Sequence, residues 1–395
     1  MTMSAAMPHS TERILTTHVG SLPRPAALRD LLLAQNRGEA VDQAALERAI
    51  VAAVEEIVAR QVAIGIDIVD DGEASKVSYS TYIQERLSGF GAVDPDKLPR
   101  ERLRDREEFP DYFKATAAAS GSATRRRLAC VGPVAMQHRE SLRRDLANFR
   151  VAVDKSKPVG TFLTAASPGV IARFHPNLHY ASSKDYRRAV GDAMREEYEA
   201  IVAAGFTLQI DCPDLASGKN NVFIDLSEEE FVKECEISVE VLNDALRNIP
   251  ATAARMHLCW GNYIGPHLHD IALDKILPVV LKAKPHAISF EGANPRHAHE
   301  WEVWKRVKLP DNKVIMPGVL DTSTNYVEHP ELVAQRLCRY ADAVGRERVI
   351  ASSDCGFEHF AGHGHVDPQI VVKKLEAMVA GARLASERLW AKRVA

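Results

Sequence analysis

Residues 185–211 read DYRRAVGDAMREEYEAIVAAGFTLQID. A helical pattern over 185–204 runs into a short apolar, β-branched run at 207–211 that closes on an acid, Asp211. The same unit recurs along the chain. Apolar runs at 14–19, 66–70, 158–164, 253–258, 286–290, 314–319 and 349–353 read as strands. Longer amphipathic segments separate them, for example 44–63 and 328–345. Eight strand–helix units in 395 residues predict an α/β fold, a (β/α)₈ TIM barrel forming one catalytic domain over 1–395. A doubly wound sheet is the main competitor. It is disfavoured because no Gly-rich phosphate loop follows the first strand.

One stretch breaks the rhythm. Residues 88–127 are charged, punctuated by proline and poor in branched apolar residues, and 128–135 (LACVGPVA) reads as a hairpin strand laid over the barrel. The 88–135 segment is therefore expected to be an insertion. It is a surface excursion on the plain reading, and a lid or a contact in a homo-oligomer on the functional one.

Composition narrows the classes. Hydrophobic residues make up 46% and charged residues 26%, enough for a large core in a soluble protein. A formal net charge of −3 gives no footprint for nucleic acid or for an anionic membrane. The first twenty residues hold no signal-peptide core, and no apolar run approaches membrane-spanning length. Six cysteines give no disulfide framework, so a reducing, cytoplasmic setting is expected. That setting makes clustered cysteines candidates for metal binding or nucleophilic chemistry.

The polar residues able to do chemistry gather at the C-terminal ends of the expected strands. His18, Gly20 and Ser21 follow the first; Asp70, Asp71 and Glu73 the second; Asp211 closes the fourth. His257 and Cys259 end the fifth, Glu291 the sixth, Asp321 follows the seventh, and Asp354 and Cys355 end the eighth. In a barrel these ends converge on one face, where active sites are built. His257 and Cys259, two apart on a strand, point to the same side. With Glu291 and Cys355 they make a tetrahedral Zn²⁺ site, against the plainer reading of buried thiols and a satisfied histidine. Two thiolates and a carboxylate over-neutralise the ion, which suits thiol activation better than hydroxide formation.

Taken in order, the motifs resemble cobalamin-independent methionine synthase, in its catalytic C-terminal barrel and its shorter stand-alone relatives. They are TTHVGSLPRP (16–25), DDGE (70–73), LQIDCPDL (208–215), HLCWGNY (257–263), FEGANPRHAHEW (290–301), GVLDTSTNYVEHPE (318–331) and SSDCGF (352–357). The resemblance implies catalytic zinc on His257, Cys259, Glu291 and Cys355. It also implies an amino-acid thiol, homocysteine, held by Gly20, Ser21, Glu73 and Asp211. Proton transfer would fall to the region of Asp321 and Ser323.

The departures are Cys212 where the family has an acid, Ser323 where it often has a histidine, and a length about half that of the usual two-barrel synthase. Each weighs against methyl-folate as the alkyl donor. The wider group includes zinc enzymes that add coenzyme M to epoxides. For such a substrate Arg24, Arg173 and Arg296 are the candidate sulfonate partners. The rivals are a metal-free decarboxylase resembling uroporphyrinogen decarboxylase and, outside enzymology, a binding or accessory protein with a structural zinc.

Two aromatics, Trp260 and Tyr263, are candidate pocket walls. His267, His269, His297 and His299 are candidate partners orienting the metal ligands, or loop residues. His359, His363 and His365 are expected in a loop against the site, and Cys130, Cys235 and Cys338 in packing.

Overall fold

A computed structural model of the chain describes residues 5–120 and 127–391, for 117–120 the backbone alone. Residues 121–126 of the expected insertion lie outside the described residues. The central sheet has eight parallel strands: β1 (Leu15–Thr16), β2 (Ile68–Val69), β3 (Gly160–Ala166), β4 (Thr207–Asp211), β5 (Ala254–His257), β6 (Ala287–Phe290), β7 (Val314–Leu320) and β8 (Ile350–Ser353). Their order is β1-β8-β7-β6-β5-β4-β3-β2. The two edges meet where Asp67 N–H donates to the Thr16 carbonyl at 3.2 Å and Thr17 Oγ1 donates to the Ile68 carbonyl at 2.9 Å. The structure is a (β/α)₈ barrel, as the strand–helix alternation predicts. The first two strands are shorter than the apolar runs that announce them, because a side-chain bridge through Asp67 stands in for part of the backbone ladder there.

Local sequence explains where the surrounding helices begin and end. Asp42 accepts from the Ala44 and Ala45 amides at the start of helix Gln43–Ile64, and Gly65, at φ 99°, closes that helix in a left-handed turn. Ser227 and Glu230 form a reciprocal capping box on helix Glu228–Ala245. Helices Ser183–Ala203, Pro330–Val344 and Pro368–Trp390 complete most of the outer layer. Among the described residues no helix is long and apolar enough to cross a membrane.

Alternation along the strands divides the core in two. Ile14, Val69, Leu163, Ile288 and Ile315 pack outward under the helices. Leu15, Ile68, Phe162, Ala287, Val314, Met316 and Ile350 form a separate cluster with Met7, which is the apolar filling of the barrel. The N-terminal segment is tied beneath that cluster by Met7 N–H to the Thr252 carbonyl and by Thr207 Oγ1 to the Ala5 carbonyl, each at 2.9 Å.

In the 88–135 region Phe90–Gly91 pairs antiparallel with Ala129–Cys130. Helices Arg104–Glu108 and Pro110–Ser120 lie between these strands in sequence. Tyr263 Oη donates to Asp105 Oδ2 at 2.6 Å, Tyr112 Oη donates to the Ile264 carbonyl at 3.0 Å, and His269 meets Glu108 at 2.5 Å. These bonds fasten the segment to the loop after β5.

β7 and β8 approach so closely that a side chain does not fit between them. A Cβ on Gly318 would lie 2.0 Å from Asp354 Oδ1 and 2.7 Å from its Cα. Gly318→Ala should cost about 1–3 kcal/mol or more in urea unfolding through overpacking against backbone. A midpoint equal to the parent's would show that the two strands have room to part.

Candidate active site

Three side chains from the ends of β5 and β8 come together. The ligating atoms of His257, Cys259 and Cys355 all lie within 4.8 Å of one another. The two sulfurs are 3.7 Å apart. Two thiolates each about 2.3 Å from a tetrahedral ion would stand about 3.8 Å apart, so the spacing fits zinc. His257 Nδ1 shares a 3.2 Å hydrogen bond with Ser289 Oγ on β6, while its Nε2 is buried with no partner among the described residues. An orphaned ring nitrogen beside two thiols is what a metal ligand looks like before the metal is considered.

Glu291 is nearby, but its oxygens are engaged. Oε1 accepts the Trp260 amide and Oε2 accepts Asn294 Nδ2, each at 2.7 Å. Each carboxylate oxygen keeps a further lone pair, so these bonds orient Glu291 and leave it able to accept a cation.

Electrostatics agree with the donor set. The hydrogen bond to Cys355 and then burial hold the Cys259 thiol well above its usual range. Burial, then the charge of Cys259, raises the Glu291 carboxyl, and burial keeps His257 neutral by lowering it to about 3. A divalent cation is the counter-charge that would stabilise such a cluster with its thiols and carboxyl ionised.

Two chambers flank the cluster. The larger, about 410 Å³, is lined by Ser21, Glu73, Asp211, Arg173, Cys259 and Cys355, among others. Gly20 is tucked against its wall at φ +148°; a Cβ there would meet Thr164 Cγ2 at 2.7 Å and Glu73 Oε1 at 2.8 Å. Burial and then Glu73 raise Asp211 to about 8. The smaller chamber, about 230 Å³, is lined by Glu291, Asn294, Arg296, Asp321, Ser323 and Cys355, among others. Ser323 donates through both N–H (2.6 Å) and Oγ (2.8 Å) to Asp321 Oδ1.

Gly261, Asn262 and Tyr263 line both chambers and partition them. Asn262 Nδ2 donates to the Gly356 carbonyl at 2.8 Å, and its Oδ1 accepts Thr322 Oγ1 at 3.2 Å.

The structure thus brings Cys259 and Cys355 together with Ser21, Glu73 and Asp211 around one chamber, with the buried His257 beside the two thiols, and sets Asp321 and Ser323 on the other side of the partition. Of the three candidate arginines only Arg173 lines the larger chamber. Arg24 is buried against Glu358 and the carbonyls of Glu73 and Lys76, and Arg296 sits exposed on the rim of the smaller chamber. Tyr263 walls both chambers. Trp260 instead is buried against His297, with ring centroids 4.3 Å apart. His359, His363 and His365 line the larger chamber.

Ser289, which sequence reasoning missed, and Asp354, which it placed at a strand end without a role, support the others. Ser289 orients His257. Asp354 gathers the Gly292, Ala293 and Asn294 amides, each at 2.8 Å, and so shapes the turn after Glu291. Asp354 was visible as an acid beside Cys355; Ser289 carried no signal at all.

Comparison with known proteins converges on the same class. A family model described as the catalytic domain of cobalamin-independent synthase matches residues 14–98, the part that carries Gly20, Ser21 and Glu73. Proteins named methionine synthase from Sulfurisphaera tokodaii and Saccharolobus solfataricus are 24% and 25% identical over 377 residues. Those alignments cover 95% of this chain and 93% and 95% of the relatives. The fold is similar to that of a B12-independent methionine synthase from Shewanella sp. W3-18-1, with TM-score 0.69, 20% identity and coverage of 96% of this chain and 99% of the other. A putative vitamin-B12 independent methionine synthase from Listeria monocytogenes gives TM-score 0.61 at 16% identity, with coverage of 94% and 98%.

Fold and site together define a (β/α)₈ barrel with a sulfur-and-imidazole cluster at its mouth. The chain resembles the cobalamin-independent methionine synthases along nearly its whole length, as its motifs imply. Its length does not separate it from the relatives named above, so the two-barrel length is not shared by every protein named methionine synthase.

Two tests address the surroundings of the site. Tyr263→Phe removes the 2.6 Å bond to Asp105, a residue with no exposed surface. Amide exchange over 104–109 should then quicken while the barrel strands keep their protection. Equal exchange in both proteins would mean that other contacts hold the segment.

Behind Trp260, burial opposes the charge on His297, but hydrogen bonds to Asp270 and Glu300 lift it from 6.5 to about 10. Because the folded value is the higher one, the stabilisation is complete below pH 6.5, declines by roughly 1.4 kcal/mol per unit above it, and is gone past pH 10. His297→Gln should therefore destabilise more at pH 6 than at pH 9.5 in urea melts. A deficit independent of pH would refute the charged ring.

Proposed function

We propose that the protein transfers an alkyl group, a methyl group in the first reading, to the sulfur of a small amino-acid thiol such as homocysteine. The observation that carries this is the shared chamber: Cys259 and Cys355 open onto the same cavity as Glu73 and Asp211. Two carboxylates suit an ammonium group, and the backbone at Gly20 and Ser21 suits a carboxylate. The similarity to proteins named methionine synthase supports the same reading.

His257, Cys259 and Cys355, joined by Glu291, would hold zinc. Bound there, zinc lowers the pKa of a thiol entering its shell yet leaves the sulfur nucleophilic, because the anionic ligands withdraw little charge from it. The protein's own groups do the rest. Glu73 and Asp211 orient the thiol, and the enclosed chamber keeps water from competing. As the new sulfur–carbon bond forms, the bond from that carbon to its carrier breaks. The carrier leaves with the electron pair and takes up a proton, matching the one that the thiol gives up on entry, with Asp321 and Ser323 across the partition as the groups that would pass it on.

A second reading is favoured by one observation. Arg173 lines the same chamber, with Nη1 donating to Ser217 Oγ at 2.6 Å, and is a fitting partner for the sulfonate of a coenzyme M-like thiol that opens an epoxide. A purely structural zinc is disfavoured because such sites are closed, whereas this cluster faces a cavity. A metal-free decarboxylase leaves the paired thiols and the orphaned Nε2 without a role. Two free thiols also suit a reducing, cytoplasmic setting.

Zinc K-edge absorption, with and without added thiol, tests the reading. The parent should hold zinc through two cysteine sulfurs and gain a third with homocysteine, or with coenzyme M on the second reading. Cys259→Ser should lower zinc affinity by at least about 100-fold and abolish turnover. Turnover by metal-free Cys259→Ser protein, or a zinc shell that no thiol alters, would end the proposal.

A further inference from the structure

Between the apolar filling of the barrel and the larger chamber lies a polar layer that core packing does not require. Arg255 on β5 and Gln209 on β4 are both fully buried. The Arg255 guanidinium stacks 3.6 Å over the Phe162 ring. Its Nε donates to Gln209 Oε1 at 2.7 Å, its Nη1 to Thr17 Oγ1 at 2.9 Å, and its Nη2 to the His18 carbonyl at 2.5 Å. Gln209 Nε2 in turn donates to the Val19 carbonyl and, at 2.8 Å, to Asp211 Oδ1.

A buried cation and a buried amide in the middle of a barrel cost desolvation that aliphatic side chains would avoid. Stability alone therefore gives no reason for them. Their geometry gives one. A guanidinium has only donors, so the amide oxygen of Gln209 must face Arg255 and the amide nitrogen must face Val19 and Asp211. The amide cannot turn over while Arg255 is present. One oxygen of Asp211 is thus held at a fixed point, and Oδ2 remains for a ligand's ammonium group. The same two side chains hold the His18 and Val19 carbonyls, which lead directly into Gly20 and Ser21.

We propose that Arg255 and Gln209 are a positioning pair that sets Asp211, and so makes the chamber selective for ligands bearing an α-amino group. This rests on the reading that Glu73 and Asp211 receive the ammonium of an amino-acid thiol. Neither residue of the pair touches the ligand; both act through Asp211.

Calorimetric binding of L-methionine and of its des-amino analogue, 4-(methylthio)butanoate, separates the two claims. The parent protein should prefer methionine. Gln209→Glu keeps the shape and the partner of Arg255 but sets oxygen against the Val19 carbonyl and Asp211. It should weaken methionine by at least about tenfold and leave the analogue within a factor of two. Gln209→Met, apolar and of similar size, should do the same.

A parent that binds both ligands equally would overturn the ammonium reading and this inference with it. A parent that prefers methionine, with variants that keep the preference or lose both ligands alike, would overturn the positioning role alone. Failure of both variants to fold would assign the layer to stability and likewise overturn it.

Discussion

Two sulfurs 3.7 Å apart, carried by strands that are not neighbours in the sheet, set the constraint that the rest of the molecule satisfies. β5 and β8 are separated by β6 and β7, so Cys259 and Cys355 meet only because the sheet curls until its edges join. Parallel strands with their C-terminal ends on one side deliver the two thiols, His257 and the carboxylates to a single rim. Close approach of β7 to β8, possible because residue 318 is glycine, keeps Asp354 where it can gather the turn that follows Glu291. Barrel closure and site assembly are the same event.

The barrel changes character along its axis. At the bottom, Leu15, Ile68, Phe162 and Met316 exclude water and cost nothing in desolvation. Halfway up, Arg255 lies on Phe162, its charge spread over one ring face and three acceptors. Burial lowers its pKa to about 9, which measures how strongly the interior resists that charge. At the top, acids and thiols face open cavities. Stability is concentrated where no chemistry is needed, and the polar groups stand on that base.

Much of this was legible in the chain. The eight apolar runs mark the strands because parallel barrel strands are buried on both faces and read as continuous hydrophobic segments. The reactive residues stood out because each falls just past such a run, where packing gives no reason for acids or cysteines. What could not be read depends on long-range pairing. Tyr263 and Asp105 are 158 positions apart, and neither has a neighbour that announces the bond. Glu291 was legible as an acid at a strand end, but the Trp260 amide and the Asn294 Nδ2 that orient its two oxygens were not. Trp260 looked like a pocket wall, but His297 beneath it draws the ring inward. Arg24, Arg173 and Arg296 were equivalent in sequence. Only the turn that buries the first and the rim that exposes the third leave Arg173 facing the larger cavity.

The loop after β5 has two tasks. Its early residues, Gly261 to Tyr263, divide one cavity from the other, and its later ones, through Ile264 and His269, anchor the helices of the 88–135 segment. Tyr263 belongs to both groups, since its ring walls the cavities while its hydroxyl holds Asp105. One aromatic side chain thus answers to two neighbourhoods at once: its ring is cavity wall, and its hydroxyl is an anchor for a segment 158 positions away in the chain. Any residue put in its place has to satisfy both, so the shape of the cavities and the seating of that segment cannot be varied independently at this position.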